Sequence, residues 1–396
     1  MKKNIAIISE YNPFHNGHIH QIKEIKKQYP DSNIISIMSG NFVQRGEPAI
    51  INKYERCKNV IDSGVDLVLQ IPTIFSLQSA ENFSLGSYNI LEDLKAVDIL
   101  SFGVETDNFN KLFEVAKYQY ENREKIENLI SEYMKSGKSY PKAYELATKI
   151  FLTGDQEDIF QSNNILALEY IKAKLKNNSS IELLPIKRKG SSYLSIDYEK
   201  NLQPSATAIR KMAIEGRFDT LKKFVPSSTY NSLKDLNYEF NYYNIIKYHF
   251  LIENRNHSNI TGFEKGIDDM LIKNLKSAKS YEEFIENSKS KRFKEGRIKR
   301  FILNSLLNIE KNFVDEAINS RPKFVNVLGF NENGIKILKH VSENSNISLI
   351  VNKKDFTIED ELSKNLFELE EKATTLYNII SGETKSEYEY LPIVKK

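Results

Sequence analysis

Asn12-Pro13-Phe14-His15-Asn16-Gly17-His18 is the stretch whose reading decides the fold. It follows Ile5-Ala6-Ile7-Ile8, a short apolar run rich in β-branched residues. It precedes Ile19, Ile22 and Ile25, whose spacing marks the apolar side of a helix. The order is strand, tight turn, helix, with a His-x-Gly-His at the joint. A helix N-terminus offers unpaired backbone N–H groups and partial positive charge, so it suits a phosphate. Gly17 lets a ligand approach the backbone closely, and His15 and His18 can donate hydrogen bonds to phosphate oxygens. Charge building on an α-phosphate and a leaving pyrophosphate is stabilised in such a place. A lone histidine near a helix start is usually a surface or capping residue, but two of the chain's six histidines fall in this turn. As metal ligands the pair falls short of the larger sets that metals usually take, and no metal site is expected.

Outward from the turn, strand and helix alternate over the first 105 or so residues. Residues 33–38 and 65–71 read as the second and third strands, the latter stopped by Pro72, and 97–102 as the fourth. Residues 53–63 and 76–93 read as helices. This rhythm predicts an α/β fold with a parallel sheet covered on both faces. Ligands then sit beyond the carboxyl ends of the strands, where Gly40 and Gly103 join His15. Residues 107–175 read as helical, with Ser162-Asn163-Asn164 capping the last helix. A fifth strand at 181–186 leads to Lys187-Arg188-Lys189-Gly190 and Tyr193. In Pro204-Ser205-Ala206-Thr207-Ala208-Ile209-Arg210, Ser205 and Thr207 can cap a second helix N-terminus suited to phosphate, to which Arg210 adds charge. Beyond Pro226-Ser227-Ser228 long helical patterns take over, with two short strands at 325–330 and 347–352. The expected domains are therefore 1–225, Rossmann-like, and 226–396, mainly α-helical.

Hydrophobic content of 40% and charged content of 28% fit a globular protein. A net charge of +3 excludes a global basic field, so nucleic-acid binding needs a local patch. The densest is Lys289, Lys291, Arg292, Lys294, Arg297, Lys299 and Arg300, with Phe293 and Phe301 interleaved. Such a run is either a solvated helix face or an RNA-backbone contact, with Lys291, Arg292, Arg297 and Arg300 as the RNA-binding candidates. The single cysteine, Cys57, reads as a core residue on a helix and suits a reducing cytoplasm. Met1-Lys2-Lys3-Asn4 is basic, but the apolar run after it is broken by Ser9-Glu10 and does not read as a signal peptide. No run of about 18 apolar residues is present. Nor is there a Walker A or GxGxxG pattern, so the phosphate site rests on the histidine turn.

The turn resembles the HxGH motif of the nucleotidyltransferase superfamily. Ser39-Gly40-Asn41-Phe42-Val43-Gln44-Arg45-Gly46-Glu47-Pro48-Ala49 is similar to the signature of the bacterial tRNA(Met) cytidine acetate ligase family, and the resemblance continues into Val327-Leu328-Gly329-Phe330. It implies that a carboxylate attacks the α-phosphate of ATP, that the carboxylate is acetate, and that Mg²⁺ accompanies ATP. It further implies that the exocyclic amine of the wobble cytidine of elongator tRNA(Met) then takes the acetyl group, giving N4-acetylcytidine. Carried onto this sequence, the ATP-binding residues are Ile7, Ile8, Ser9, Glu10, Tyr11, Asn12, Pro13, Phe14, His15, Asn16, Gly17, His18, Ile19 and His20, with Gly103, Asn163 and Arg188. The register leaves Asn163 or Asn164 open. His15, His18, Ser205, Thr207 and Arg210 are the expected catalytic groups, and Lys53 and Arg45 weaker candidates. The competing classes are a small-molecule adenylyltransferase, an acetate ligase with another acceptor, a non-catalytic RNA-binding protein, and an aminoacyl-tRNA synthetase. The last lacks its Lys-Met-Ser-Lys-Ser-like stretch here.

Overall fold

The computed structural model describes residues 2–138, 140–150, 157–188, 204–236, 241–253, 255–355, 357–358 and 360–395. The sequence readings at Lys189, Gly190 and Tyr193 fall outside these residues. The strands that matter are β1 (Asn4–Ser9), β2 (Asn33–Ser39), β3 (Leu67–Ile71), β4 (Ile99–Val104), β5 (Glu182–Lys187), β6 (Phe324–Phe330), β7 (Ser348–Ile350) and β8 (Ile393–Val394). They form one sheet in the order β8-β6-β3-β2-β1-β4-β5, with β7 paired to β6. All neighbours run parallel except β3 and β6, which are antiparallel. The chain builds β2 and β3 to one side of β1, then crosses back to lay β4 on the other. That reversal leaves a crevice at the carboxyl ends of β1 and β4, where open α/β sheets bind ligands.

Period-two alternation feeds two cores. Ile5 and Ile7 of β1, with Ile34 of β2 and Val68 of β3, pack against Ile22 and Ile25 of α1 (Asn16–Gln28) and Cys57 and Val60 of α2 (Lys53–Asp62). Ala6, Ile8, Ile35, Leu67 and Leu100 face the opposite layer, which contains Leu168 and Ile171 of α3 (Ser162–Lys176). Both faces are covered, as the runs of β-branched residues predict. Cys57 is fully buried, as expected of a core residue. The helical reading of 107–175 corresponds to Phe109–Glu121, Arg123–Lys135, Tyr140–Lys149 and α3, with a 3₁₀ turn at Glu157–Phe160. The helix read at 76–93 is two helices, Thr73–Ser76 and Ala80–Asp93, because Ser79 caps the second with its hydroxyl.

Beyond Pro226 the chain is mainly helical, and it also returns to the first half. It supplies β6, β7 and β8 to the common sheet. α5 (Glu295–Leu307) lies against the small hairpin formed by Phe42–Val43 and Glu47–Pro48. Gly46, at the hairpin tip, has φ +79°, and a side chain there would stand 2.6 Å from the Lys299 carbonyl carbon. Only glycine meets both demands. Lys53, at the first position of α2, does not face solvent as a helix-start lysine usually does. It is 1% exposed, and its Nζ reaches Glu387 Oε1 at 2.7 Å and Gln70 Oε1 at 2.9 Å. Lys353 Nζ reaches the same Glu387 oxygen at 3.2 Å. Burial alone would raise the Glu387 pKa, but Lys53 and Lys353 outweigh it and hold the carboxyl below its usual value.

Candidate active site

His15 and His18 cap α1 reciprocally. The His15 Nδ1 accepts from the Gly17 N–H at 3.0 Å, and the His18 Nδ1 accepts from the His15 N–H at 3.1 Å. Both Nδ1 atoms are therefore unprotonated, which places each neutral ring's proton on Nε2. The two rings stack with centroids 3.9 Å apart. Burial, then the nearby Arg188 charge, pushes the His15 pKa down to about 3. Burial, His15 and Arg188 push His18 well below its ordinary value. Neither imidazole is an acid or base near neutrality; each is a fixed Nε2–H donor at a helix N-terminus. Tyr11, at φ +47°, pays for this placement in backbone strain. Its buried ring packs edge-on against Phe14 and His18 at 5.0 and 4.7 Å and fixes His18 from behind.

Across the crevice, β4 and β5 supply the second wall. Gly103 lies inside β4 and not after it, a correction to the expected turn. Its missing side chain has a different use: a Cβ would meet Arg188 Cγ at 3.2 Å and Cδ at 3.3 Å. Arg188 thus lies across Gly103 toward the histidines, its pKa lowered by burial with Glu105 opposing. Asn163 Oδ1 stands 3.5 Å from Arg188 Nη1, and Asn163 Nδ2 donates to Glu105 Oε1 at 2.6 Å. Asn164 points into the protein, 0% exposed, and its Oδ1 accepts from the Glu105 N–H at 2.8 Å. The two asparagines divide the work. Asn164 fixes the strand end and Asn163 stands beside Arg188.

The third wall is α4 (Ala206–Ile214). Ser205 is its N-cap, its Oγ accepting from Ala208 N–H at 3.3 Å, whereas Thr207 is exposed on the first turn and is not the cap. Arg210 reaches back to the opening turn, Nη1 donating to the Asn12 carbonyl at 2.8 Å and Nη2 to Glu47 Oε2 at 3.2 Å. Glu47 also holds Lys299. Burial would raise the Glu47 pKa, but Arg210 and Lys299 outweigh it and keep it low. Arg45 is within electrostatic reach of Glu10, Arg210, Glu47 and Arg188. Arg188, Arg210 and Arg45 thus gather around the histidine turn. The residues that sequence reasoning missed are Glu47, which pairs with Arg210, and Glu105, whose charge opposes the effect of burial on Arg188. Glu105 had one signal, its position two residues after Gly103 at a strand end.

Within 7–20 the side chains divide. Ile7, Ile8, Phe14 and Ile19 belong to the core. Ser9 meets Ser36, Glu10 accepts from the Gln44 N–H, and His20 lies 3.8 Å from Glu24. Asn16 is tied by its N–H to the Phe224 carbonyl at 2.9 Å and by Nδ2 to the Lys223 carbonyl at 3.0 Å. Asn12 Oδ1 accepts from Ile50 N–H at 2.8 Å, Pro13 follows a cis bond, and Gly17 supplies its N–H to His15. These groups shape the turn, and the open donors it presents are the histidine Nε2–H groups. The basic run also divides. Arg292 and Arg297 both pair with Glu264, and Lys291 is exposed. Arg300 turns inward: its Nη1 donates to the Gln44 carbonyl at 3.2 Å, and burial lowers its pKa to about 10. Its reading as an RNA contact is therefore corrected, because the guanidinium is drawn inward onto the hairpin backbone. Among the described residues no three His, Cys, Asp or Glu side chains gather as a metal site, and no helix is long and apolar enough to cross a membrane.

A family model described as HIGH Nucleotidyl Transferase matches residues 1–390. The tRNA(Met) cytidine acetate ligase of Thermosipho africanus is 39% identical over 368 residues, spanning 88% of this chain and 85% of that protein. The enzyme of the same name from Thermoanaerobacter sp. (strain X514) is 36% identical, spanning 95% and 94%. The crystal structure of apo Thermotoga maritima TmcAL superposes with a TM-score of 0.90 at 28% identity over 99% of both chains. The same protein bound with alpha-thio ATP superposes with a TM-score of 0.87 over the same share. The chain belongs to the tRNA(Met) cytidine acetate ligase family of HIGH nucleotidyl transferases.

Proposed function

We propose that the protein activates acetate with ATP and transfers the acetyl group to the N4 amine of the wobble cytidine of elongator tRNA(Met). The observation that carries the chemistry is the pair of neutral, mutually capped histidines at the α1 N-terminus, with Arg188 beside them at the crevice between β1 and β4. A carboxylate oxygen of acetate attacks the α-phosphorus, the bond to the bridging oxygen breaks, and pyrophosphate leaves. The charge that moves onto the phosphoryl oxygens is met by the His15 and His18 Nε2–H donors and the Arg188 guanidinium. Neutral donors suit this step, since they need no proton transfer of their own. Asn163 orients Arg188, and Arg210 braces the turn through the Asn12 carbonyl.

The second step follows from the first. An amine cannot displace oxide from acetate, but it can displace AMP from acetyl-adenylate. The cytidine N4 attacks the acetyl carbonyl, the C–O bond to the phosphate breaks, the amine loses a proton, and N4-acetylcytidine and AMP result. Acetate has four heavy atoms, so its contacts supply at most about −6 kcal/mol, and a Michaelis constant near millimolar is expected. Selectivity therefore rests on ATP and RNA. Mg²⁺ is proposed only as the ion that travels with the ATP phosphates, which commonly keep it with few protein ligands. The proposed setting is the cytoplasm.

The test is incubation with ATP, labelled acetate and elongator tRNA(Met), followed by nuclease digestion and mass spectrometry of the nucleosides. The proposal expects one N4-acetylcytidine per tRNA, with equal amounts of AMP and pyrophosphate formed. Label found on another acceptor, or ADP in place of AMP, overturns it.

A further inference from the structure

The segment after Arg210 wraps the opening turn. Arg210 holds the Asn12 carbonyl from one side, and the Lys223 and Phe224 carbonyls hold Asn16 from the other. The Lys223 backbone is thereby fixed at the edge of the site, against the residue that follows His15, and Lys222 precedes it in the chain. Both side chains are exposed, and neither makes an ion pair with an acid among the described residues. Exposed Lys211 stands nearby in sequence, with Glu215 at 3.8 Å. From Arg210 to Lys223 the basic residues are Arg210, Lys211, Arg217, Lys222 and Lys223, against Glu215 and Asp219. This short segment matches the net charge of the whole chain.

The other dense basic run has lost most of its free charge. Arg292 and Arg297 share Glu264, Lys289 pairs with Glu286, Lys299 with Glu47 and Glu295, and Arg300 with the Gln44 carbonyl. A cation already paired with an acid gains little from a phosphate, because it must give up one partner for the other. The chemistry adds a constraint. If the nucleotide amine must reach an acetyl group held at the histidine turn, the phosphates on either side of that nucleotide lie within one nucleotide's reach of the same turn. Lys222 and Lys223 occupy that rim.

We infer that Lys222 and Lys223 form the docking point for the sugar–phosphate backbone of the acceptor RNA next to the nucleotide being modified. The inference rests on the acetyl-to-tRNA reading above. These contacts position the RNA and carry no base specificity. Each displaces counterions, so each adds about 0.7 to 0.9 to the slope of log affinity against log salt.

The experiment is fluorescence anisotropy of labelled elongator tRNA(Met) binding to the full chain between 50 and 200 mM salt. It compares wild type, Lys222→Gln with Lys223→Gln, Lys222→Glu with Lys223→Glu, and Lys291→Gln with Arg292→Gln. Acetate-dependent ATP–pyrophosphate exchange without RNA is measured in parallel. The Gln pair is expected to reduce the salt slope by about 1.4 to 1.8 and to weaken binding about tenfold at the lower salt. The Glu pair is expected to weaken it further, and both to keep exchange within twofold of wild type. The backbone carbonyls that hold Asn16 remain, so exchange also reports on the fold; should the Glu pair fail to fold, the Gln pair decides. Unchanged affinity and slope in the variants overturn the docking point. So does a loss that appears instead in Lys291→Gln with Arg292→Gln. Failure of the underlying reading looks different: the wild type itself binds no tRNA.

Discussion

Replacing His15 by asparagine separates the two jobs assigned to that side chain. The asparagine Oδ1 can take over from Nδ1 as acceptor for the Gly17 N–H, now at 3.0 Å, and asparagine is among the best N-cap residues. What it cannot replace is the Nε2–H on the far side of the ring. The fold loses the stacking on His18, at 3.9 Å, and some buried volume, since His15 is 3% exposed. Together these cost about 1 to 2 kcal/mol, too little to unfold a protein of ordinary stability. Loss of one donor to a developing phosphoryl charge costs more in rate, about 3 to 4 kcal/mol, or a 10²- to 10³-fold fall in kcat. The assay is acetate-dependent ATP–pyrophosphate exchange under saturating substrates, with thermal unfolding on the same samples. A folded His15→Asn protein that keeps exchange within tenfold of wild type would refute the reasoning, because the imidazole would then be only a helix cap.

Exchange should show no acid limb near the ordinary histidine pKa: from pH 8 to pH 5.5 the loss attributable to His15 and His18 is less than twofold, measured as a pH–rate profile against the His18→Gln variant. Stability behaves differently. Because the folded His15 pKa is depressed to about 3 from 6.5, its contribution is complete above pH 6.5 and is lost as pH falls, by about 2 kcal/mol between pH 7 and 5, readable from denaturant midpoints. Gly103→Ala places a methyl 3.2 Å from Arg188 Cγ and should raise the KM for ATP by about tenfold, the equivalent of about 1.4 kcal/mol, while unfolding changes little. Glu387→Gln leaves Lys53 and Lys353 buried without their carboxylate and should cost about 3 to 5 kcal/mol in denaturant unfolding, while the KM for ATP in the remaining folded protein stays near wild type.

The sheet and its ligand edge were readable because period-two runs such as Ile5-Ala6-Ile7-Ile8 and the helix pattern at Ile19, Ile22 and Ile25 are local signals. What was not readable depends on partners far away in the chain. Lys53 looks like any helix-start lysine until β8 and the turn before it bring Glu387 to its Nζ. Lys299 and Arg300 look like the end of a solvated basic stripe, yet Glu47 and the Gln44 carbonyl meet them at the hairpin. Gly103 reads as a turn glycine because the residue that needs its space, Arg188, comes after the whole helical insertion. The Asn163 and Asn164 ambiguity has the same origin. Adjacent helical positions point in different directions, and only the packed strand end decides which of them faces Arg188.

The most direct test of the central claim is ATP–pyrophosphate exchange by the purified protein with acetate, with propionate and with no acid, in the absence of RNA. The account predicts exchange that requires acetate, is weaker with propionate, and falls at least 10²-fold in His15→Asn. Exchange that proceeds without any carboxylic acid, or that survives in His15→Asn, would contradict it.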